Sequence, residues 1–256
     1  MIHKTAIVDP AAKLGNNVLV GAYTIIEANV EIGDDCQIGP HVVIKSHTKM
    51  GNKNKIYQFS SIGEDPQDLK YKGEETYLEI GTGNIIREYC TLNRGTHEGG
   101  GVTKIGNNNL LMAYVHIAHD CVLGNHIILA NNASLAGHVQ IDDYVGLGGL
   151  SGVHQYCRIG THSFAAGGSM INKDVLPYLM VSGYYAKPFG LNTIGLKRRG
   201  FSDERISDIK AIYKIVYRKG LSVQDSIAEI KEQFLDSEDA KLFLEMLEDT
   251  DRGFVR

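Results

Sequence analysis

Aliphatic residues return at every sixth position along most of this chain. Ile2, Val8, Leu14, Val20, Ile26, Ile32, Ile38, Ile44, Met50, Ile56 and Ile62 open the series. It resumes at Ile80, Ile86 and Leu92, and again from Ile105 to Ile171. Small or β-branched residues stand four places after each: Ala12, Val18, Thr24, Val30, Cys36, Val42, Thr48. Six is a multiple of the strand period of two and not of the helical 3.6, so the pattern predicts strands with the same face inward at every repeat. Gly often follows the aliphatic residue, at 15, 21, 33, 39, 106 and 124 among others. These glycines are expected to turn the chain between strands. A fixed short period over this length predicts a solenoid.

Two stretches break the phase: "GEDPQDLKYKGEETYLE" (63–79) and "NRGTHEGGGVTK" (93–104). Polar loops ejected from a regular scaffold are where function concentrates. The repeats fade near Leu176, and after "KPFG" the spacing of Ile206, Ile209, Tyr213, Val216 and Tyr217 is helical. Ser222 and Ser237 are candidate N-caps. The expected organisation is a β solenoid over 1–189 and a small α-helical domain over 190–256.

Composition narrows the class. A net charge of −4 with 22% charged residues gives no bias toward nucleic acid. No apolar run is long enough to span a membrane, and the N-terminus lacks the layout of a signal peptide, so a cytoplasmic location is expected. Cys36, Cys90, Cys121 and Cys157 all fall at the inward small position, which predicts buried, inert thiols.

The period resembles that of the hexapeptide-repeat acyltransferases, which implies a left-handed parallel β-helix with three repeats per coil. In order, "HIAHDC", "LANNASLAGH", "VHQYC" and "GLKRRGFS" resemble, more narrowly, the UDP-N-acetylglucosamine O-acyltransferase family. That resemblance covers the whole chain. It implies transfer of a (R)-3-hydroxyacyl chain from acyl carrier protein to the 3-hydroxyl of UDP-N-acetylglucosamine, the first committed step of lipid A synthesis. It also implies a homotrimer with sites between subunits and no cofactor beyond the carrier's own phosphopantetheine. Asn93 and Ile194 depart from the family pattern, which often has His and Glu there.

With three repeats per coil, residues 18 apart stack about 4.8 Å from one another. His119, Gly137 and Gln155 then form one column, and His138 lies over Asp120. A neutral imidazole suits a general base near neutral pH, and by resemblance His119 is that base. Gly137 lets its backbone N–H approach an oxyanion. Asp120 orients an imidazole, with spacing leaving open whether that is His119 or His138. His116 and Gln155 read as substrate-positioning groups.

Arg198 and Arg199 offer forked donors for a diphosphate, and Asn192 an amide for uridine. By resemblance they bind the nucleotide near His154 and Gln155, while Gln67, Asp68 and Lys70 approach from a neighbouring subunit. Gly167 matches the position that limits acyl-chain length in the family. From Lys197 to Lys219 there are eight basic and three acidic residues, and Lys210, Lys214 and Arg218 are the expected docking face for an acidic carrier protein.

Three rival readings remain. The first is the related N-acyltransferase, which usually carries a separate N-terminal uridine-binding domain; repeats that begin at Ile2 leave no room for one. The second is a non-catalytic binding scaffold. The third is a zinc site drawing on His116, His119 and His138.

Overall fold

The computed structural model describes residues 1–250 and 252–256. Each hexapeptide contributes one strand, mostly of two residues, and the strands stack into three sheets of nine, eight and ten. Successive strands visit the three sheets in turn, so each coil of the chain has three walls. Neighbours in a sheet run parallel, Ile7 beside Ile25 and His116 beside Ser134. The architecture is a left-handed parallel β-helix, as expected.

Its interior is the aliphatic series. Ile26, Ile44, Ile62, Leu92, Ile117 and Leu135 line one inner wall and are buried. Each contributes roughly 1.5–3 kcal/mol when fully removed from water. At the N-terminal end the column meets solvent: Ile2 is 49% exposed, and Val8 and Leu14 are half-buried. The four cysteines are buried as predicted. Desolvation pushes the Cys90 thiol up to about 11 and that of Cys121 to about 12, so neither is a thiolate nucleophile.

The turns depart from expectation. Except at Gly63, where the first loop leaves, the glycine after the aliphatic residue does not take the left-handed conformation. That falls two places later, on non-glycine residues such as Asn17, Tyr23, Asp35, His41 and Asp120. The glycines serve coil-to-coil approach instead. A Cβ on Gly21 would lie 2.5 Å from the Pro40 backbone nitrogen of the next coil.

Register across coils is 18 residues except at the insertions, where Ser61 pairs with Thr91 and Thr91 with His116, and at the last coil, where Phe164 pairs with Met180. The strands extend into the expected loops, which shrink to 65–76 and 94–101. Both loops leave the prism at the edge between the nine- and eight-stranded sheets. That edge also carries His119.

The β structure runs slightly past 189. Leu179–Ser182 continues the ten-stranded sheet in parallel, and Lys187–Leu191 folds back antiparallel on it. Four helices follow: α1 (Thr193–Arg198), α2 (Asp203–Arg218), α3 (Val223–Phe234) and α4 (Glu238–Glu248). Ser222 and Ser237 cap α3 and α4 as predicted, and Asn192 and Ser202 cap the other two. The helices share one core with the solenoid. Tyr178 of the last coils donates to Asp239 of α4, which also holds the Arg205 guanidinium from α2. The C-terminus returns to the solenoid, where the Val255 N–H bonds the Asp174 carbonyl at 2.9 Å.

Gly21→Ala should lower stability by about 1–3 kcal/mol, the usual range for overpacking. Gly149→Ala should lower it less, because its Cβ would meet one atom at 3.2 Å. Chemical denaturation of the two variants checks this; equal stabilities would refute the close-approach role.

Candidate active site

The edge between the nine- and eight-stranded sheets builds two adjacent polar columns. His119 and Gly137 are in register, with the His138 N–H on the His119 carbonyl at 3.0 Å and the Tyr156 N–H on the Gly137 carbonyl at 3.2 Å. Gln155 continues that column at the exposed end. Beside it run Asp120, His138 and Tyr156, the last two rings stacked at 4.4 Å. Tyr156 was absent from the expected site, although it stands 18 residues after His138.

Asp120 decides the chemistry of this edge. Its side chain is 1% exposed, and its Oδ2 lies 2.7 Å from His119 Nδ1 but 3.6 Å from His138 Nε2. The alternative left open by spacing is thereby closed in favour of His119. The same carboxylate accepts the Thr96 N–H at 2.8 Å and the Thr96 hydroxyl at 2.6 Å. Burial by itself would raise its pKa, but the hydrogen bonds from His119 and Thr96 outweigh burial and lower it. Asp120 is therefore an acceptor, His119 Nδ1 carries the proton, and Nε2 holds a free lone pair.

Around this pair the imidazoles are held neutral. Burial lowers the pKa of His116, with a smaller contribution from the charge of His119. Its Nδ1 lies 2.7 Å from the Thr91 hydroxyl. Burial likewise lowers His138, against the opposing pull of Asp120. His116 and His154 line a cleft of about 540 Å³ with Met170, Tyr184 and Tyr185. Among the described residues, His116 joins no cluster of three or more potential metal ligands. The groups whose ligand atoms lie within 4.8 Å of one another are His119, Asp120 and His138, and a hydrogen bond already joins the first two.

Gly137 is required by contact as well as chemistry. A Cβ there would lie 2.5 Å from His119 Cε1 and 2.8 Å from Nε2. Its N–H makes no hydrogen bond among the described residues, which leaves a donor beside Nε2.

The loop 65–76 reaches back toward this edge of its own chain, where a neighbouring subunit was expected to supply it. Asp68 is close enough for its charge to raise the His138 pKa, and Lys70 is close enough to feel Tyr156. Lys70 pairs with Glu98 of the second loop at 2.9 Å. Gln67 is exposed. Asn93 is buried and donates to the Asp65 carbonyl at 2.6 Å, so it braces the loop.

Arg198 and Arg199 lie on a different edge. They line a cleft of about 500 Å³ with Ile128, Tyr144, Phe164 and Ile194, and Arg199 sits 5.1 Å over the Tyr144 ring. Neither pairs with a carboxylate among the described residues. Asn192 lines the same cleft and also anchors α1: Oδ1 accepts the Gly195 N–H and Nδ2 donates to the His162 carbonyl. Within one chain, the arginines and His119 do not meet.

Lys210, Lys214 and Arg218 share an exposed face of α2 and line a shallow groove with Tyr213. None has a carboxylate partner within ion-pair distance among the described residues. Gly167 has an ordinary φ, whereas Gly168 beside it is left-handed at +71°. The tight turn there belongs to Gly168, and Gly167 is free of that duty.

The chain matches known proteins along its whole length. Residues 11–46 and 102–137 match the bacterial transferase hexapeptide model, and 174–255 match the second domain of UDP N-acetylglucosamine O-acyltransferase. An acyl-[acyl-carrier-protein]–UDP-N-acetylglucosamine O-acyltransferase of Herminiimonas arsenicoxydans is 54% identical, with 100% of this chain and 99% of that protein covered. Its counterpart from Thiobacillus denitrificans is 52% identical at the same coverage. Among solved structures, the enzyme of Acinetobacter baumannii superposes with a TM-score of 0.97 at 48% identity, over 100% and 99% of the two chains. The UDP-N-acetylglucosamine acyltransferase of Francisella novicida gives 0.98 at 44%, over 100% and 94%.

Proposed function

The chain belongs to the acyl-[acyl-carrier-protein]–UDP-N-acetylglucosamine O-acyltransferase family, and we propose that His119 is the general base of its reaction. The activity is transfer of an acyl chain from acyl carrier protein to UDP-N-acetylglucosamine, a step in lipid A synthesis. The observation that carries the assignment of the base is the 2.7 Å contact of Nδ1 with a buried, ionised Asp120, which leaves Nε2 free.

His119 Nε2 takes the proton of the sugar 3-hydroxyl as that oxygen attacks the thioester carbonyl of the (R)-3-hydroxyacyl donor. The C–O bond forms, and the carbonyl electrons move onto oxygen, where the Gly137 N–H is in place to donate. Asp120 stabilises the resulting imidazolium. When the intermediate collapses, the C–S bond breaks and the imidazolium returns its proton to the departing phosphopantetheine thiolate. The products are the 3-O-acylated nucleotide sugar and the free carrier thiol. This scheme needs no metal and no cofactor apart from that carried by the donor. A cytoplasmic location is consistent with both substrates, and no helix among the described residues is long and apolar enough to cross a membrane.

The substrate site is completed by a second subunit in this reading. The outer face of the ten-stranded sheet is apolar over its C-terminal half, with Ile85, Ile128 and Phe164 exposed and Gln37 and Lys55 nearer the N-terminus, whereas Lys13, Glu31, Lys49, Glu79, Lys104 and Arg158 stud the eight-stranded sheet. Packing the apolar face of one chain against the His119 edge of another, in a closed homotrimer, brings Arg198 and Arg199 to a diphosphate whose sugar lies at His119. His116, His138, His154 and Gln155 then position sugar and donor, with Asp68 and Lys70 above them. Lys210, Lys214 and Arg218 attract the acidic carrier protein. Gly167 leaves room at the end of the acyl groove, so a long chain is accepted.

With UDP-N-acetylglucosamine and 3-hydroxyacyl carrier protein as substrates, His119→Ala should lower kcat by roughly 10² or more, the range for losing a general base. Chelators should leave the wild type unchanged. Near-normal turnover in the variant removes the assignment, and inactivation by chelation with recovery on zinc favours the metal reading.

Mixing inactive His119→Ala chains with inactive Arg198→Ala/Arg199→Ala chains, by joint refolding, should restore part of the activity. Some interfaces of the mixed trimers then pair an intact base with intact arginines. A mixture as inactive as its parents, or a wild type that sediments as a monomer, rules out the shared site.

On the donor side, Gly167→Met should shift the preference to chains shorter by about three or four methylenes, the volume added, each worth roughly 0.8 kcal/mol when buried. Reversing the charges of Lys210, Lys214 and Arg218 should raise KM for the carrier-borne donor and flatten its salt dependence. An equal loss on all chain lengths, or an unchanged KM, contradicts the respective role.

A further inference from the structure

We propose that the loop 94–101 is a positioning device for the base: Thr96, backed by Gly99, fixes the proton arrangement of the Asp120–His119 pair. This inference rests on the reading of His119 as the base and adds a residue outside the histidine columns. Thr96 is 6% exposed and binds both oxygens of Asp120, its N–H on Oδ1 at 2.8 Å and its hydroxyl on Oδ2 at 2.6 Å. From the other side, the Asp120 N–H donates to the Thr103 hydroxyl at 2.8 Å. Thr96 within the loop and Thr103 in the strand that follows it hold the aspartate by side chain and backbone together.

The direction of each proton follows from the donors. The Gly99 N–H can only donate, and it reaches the Thr96 hydroxyl oxygen at 3.1 Å. That oxygen therefore accepts from Gly99 and directs its own proton to Asp120 Oδ2. The Thr96 N–H likewise can only donate to Oδ1. With two donors supplied by the loop, the carboxylate is held as an acceptor, and His119 must present Nδ1–H to it. The free lone pair of His119 then lies on Nε2.

A second observation points to the same loop. A Cβ on Gly99 would overlap the Asp120 carboxylate itself, so the loop backbone closes directly onto that group. The alternative acceptor geometry is near at hand: His138 Nε2 lies 3.6 Å from Oδ2. Without the Thr96 hydroxyl, Oδ2 is open to His138, which then competes with His119 for the carboxylate. Thr96 is thus a positioning residue, acting through Asp120 and touching no substrate.

The test compares Thr96→Val, Thr96→Ser and Gly99→Ala in the intact enzyme. Thr96→Val keeps the shape and removes one hydrogen bond to a charged group, so kcat should fall about tenfold or more, with KM for the nucleotide sugar little changed. Thr96→Ser should restore kcat, which a purely structural role of the methyl group would not allow. Gly99→Ala should mimic Thr96→Val. Imidazole ¹⁵N spectra, with the His119 signal assigned by its loss in His119→Ala, should show an Nδ1-protonated tautomer in the wild type. Thr96→Val should shift it toward a mixture. The spectra separate this inference from the reading it rests on. An unchanged His119 tautomer in Thr96→Val overturns the positioning role whatever the turnover, as does a Thr96→Ser variant as slow as Thr96→Val. Full turnover in His119→Ala overturns the base itself.

Discussion

Every feature of this molecule depends on one constraint: each coil hydrogen-bonds to the next through its backbone, so the same position recurs along an edge. The ladder holds because a residue at each corner adopts the left-handed conformation, as at Asp35, His41 and Asp120, and because glycines let adjacent coils close on one another. A non-glycine residue in that conformation is individually unfavourable. It persists because the parallel ladders on both sides of each corner fix the backbone. Aromatic side chains at these corners stack, as in Tyr89 on Tyr114 at 4.8 Å, so the corner that strains the backbone also gains contact between rings.

The site follows from the same ladder. Both ejected loops leave the edge on which His119 and Asp120 lie, because each insertion occurs at the same phase of the coil. One coil's corner was replaced by 65–76 and the next by 94–101, immediately before the corner that holds Asp120. A rigid column thus presents the imidazoles, and the two loops cover it. Asp120 is buried by this cover and stays ionised only because donors surround it. An uncompensated carboxylate there would be several kcal/mol less favourable.

The two arginines and the His119–Asp120 pair sit on separate edges of the prism, and this separation bears on the outer faces. The charged eight-stranded face suits solvent. The largely apolar ten-stranded face, continuous with the arginine cleft, is the one the proposed assembly covers. In this reading the reaction site and the assembly are one problem: the interface that hides the apolar wall also brings the diphosphate-binding groups to the base.

The sequence by itself determined the solenoid, its inner wall, the burial of the cysteines and the His119–Gly137–Gln155 column, because a period of six states which side chains face inward and a multiple of it states which ones stack. It also marked the capping serines of α3 and α4. The pairing of Asp120 with His119 was not legible, since both histidines are within reach by spacing and only the side-chain geometry, 2.7 Å against 3.6 Å, separates them. Nor were Thr91, Thr96 and Thr103, because the insertions shift the register and no fixed interval connects them to the histidines. The glycines were assigned to turns by residue type, but their neighbours on the next coil decide their role. That Asn192 also caps α1 and is tied to the His162 carbonyl of the last coils was not legible either. Local periodicity is written in the chain one residue at a time. Contacts across an irregular loop or between a coil and a helix exist only once the backbone has closed on itself, and those contacts set the protons of the site.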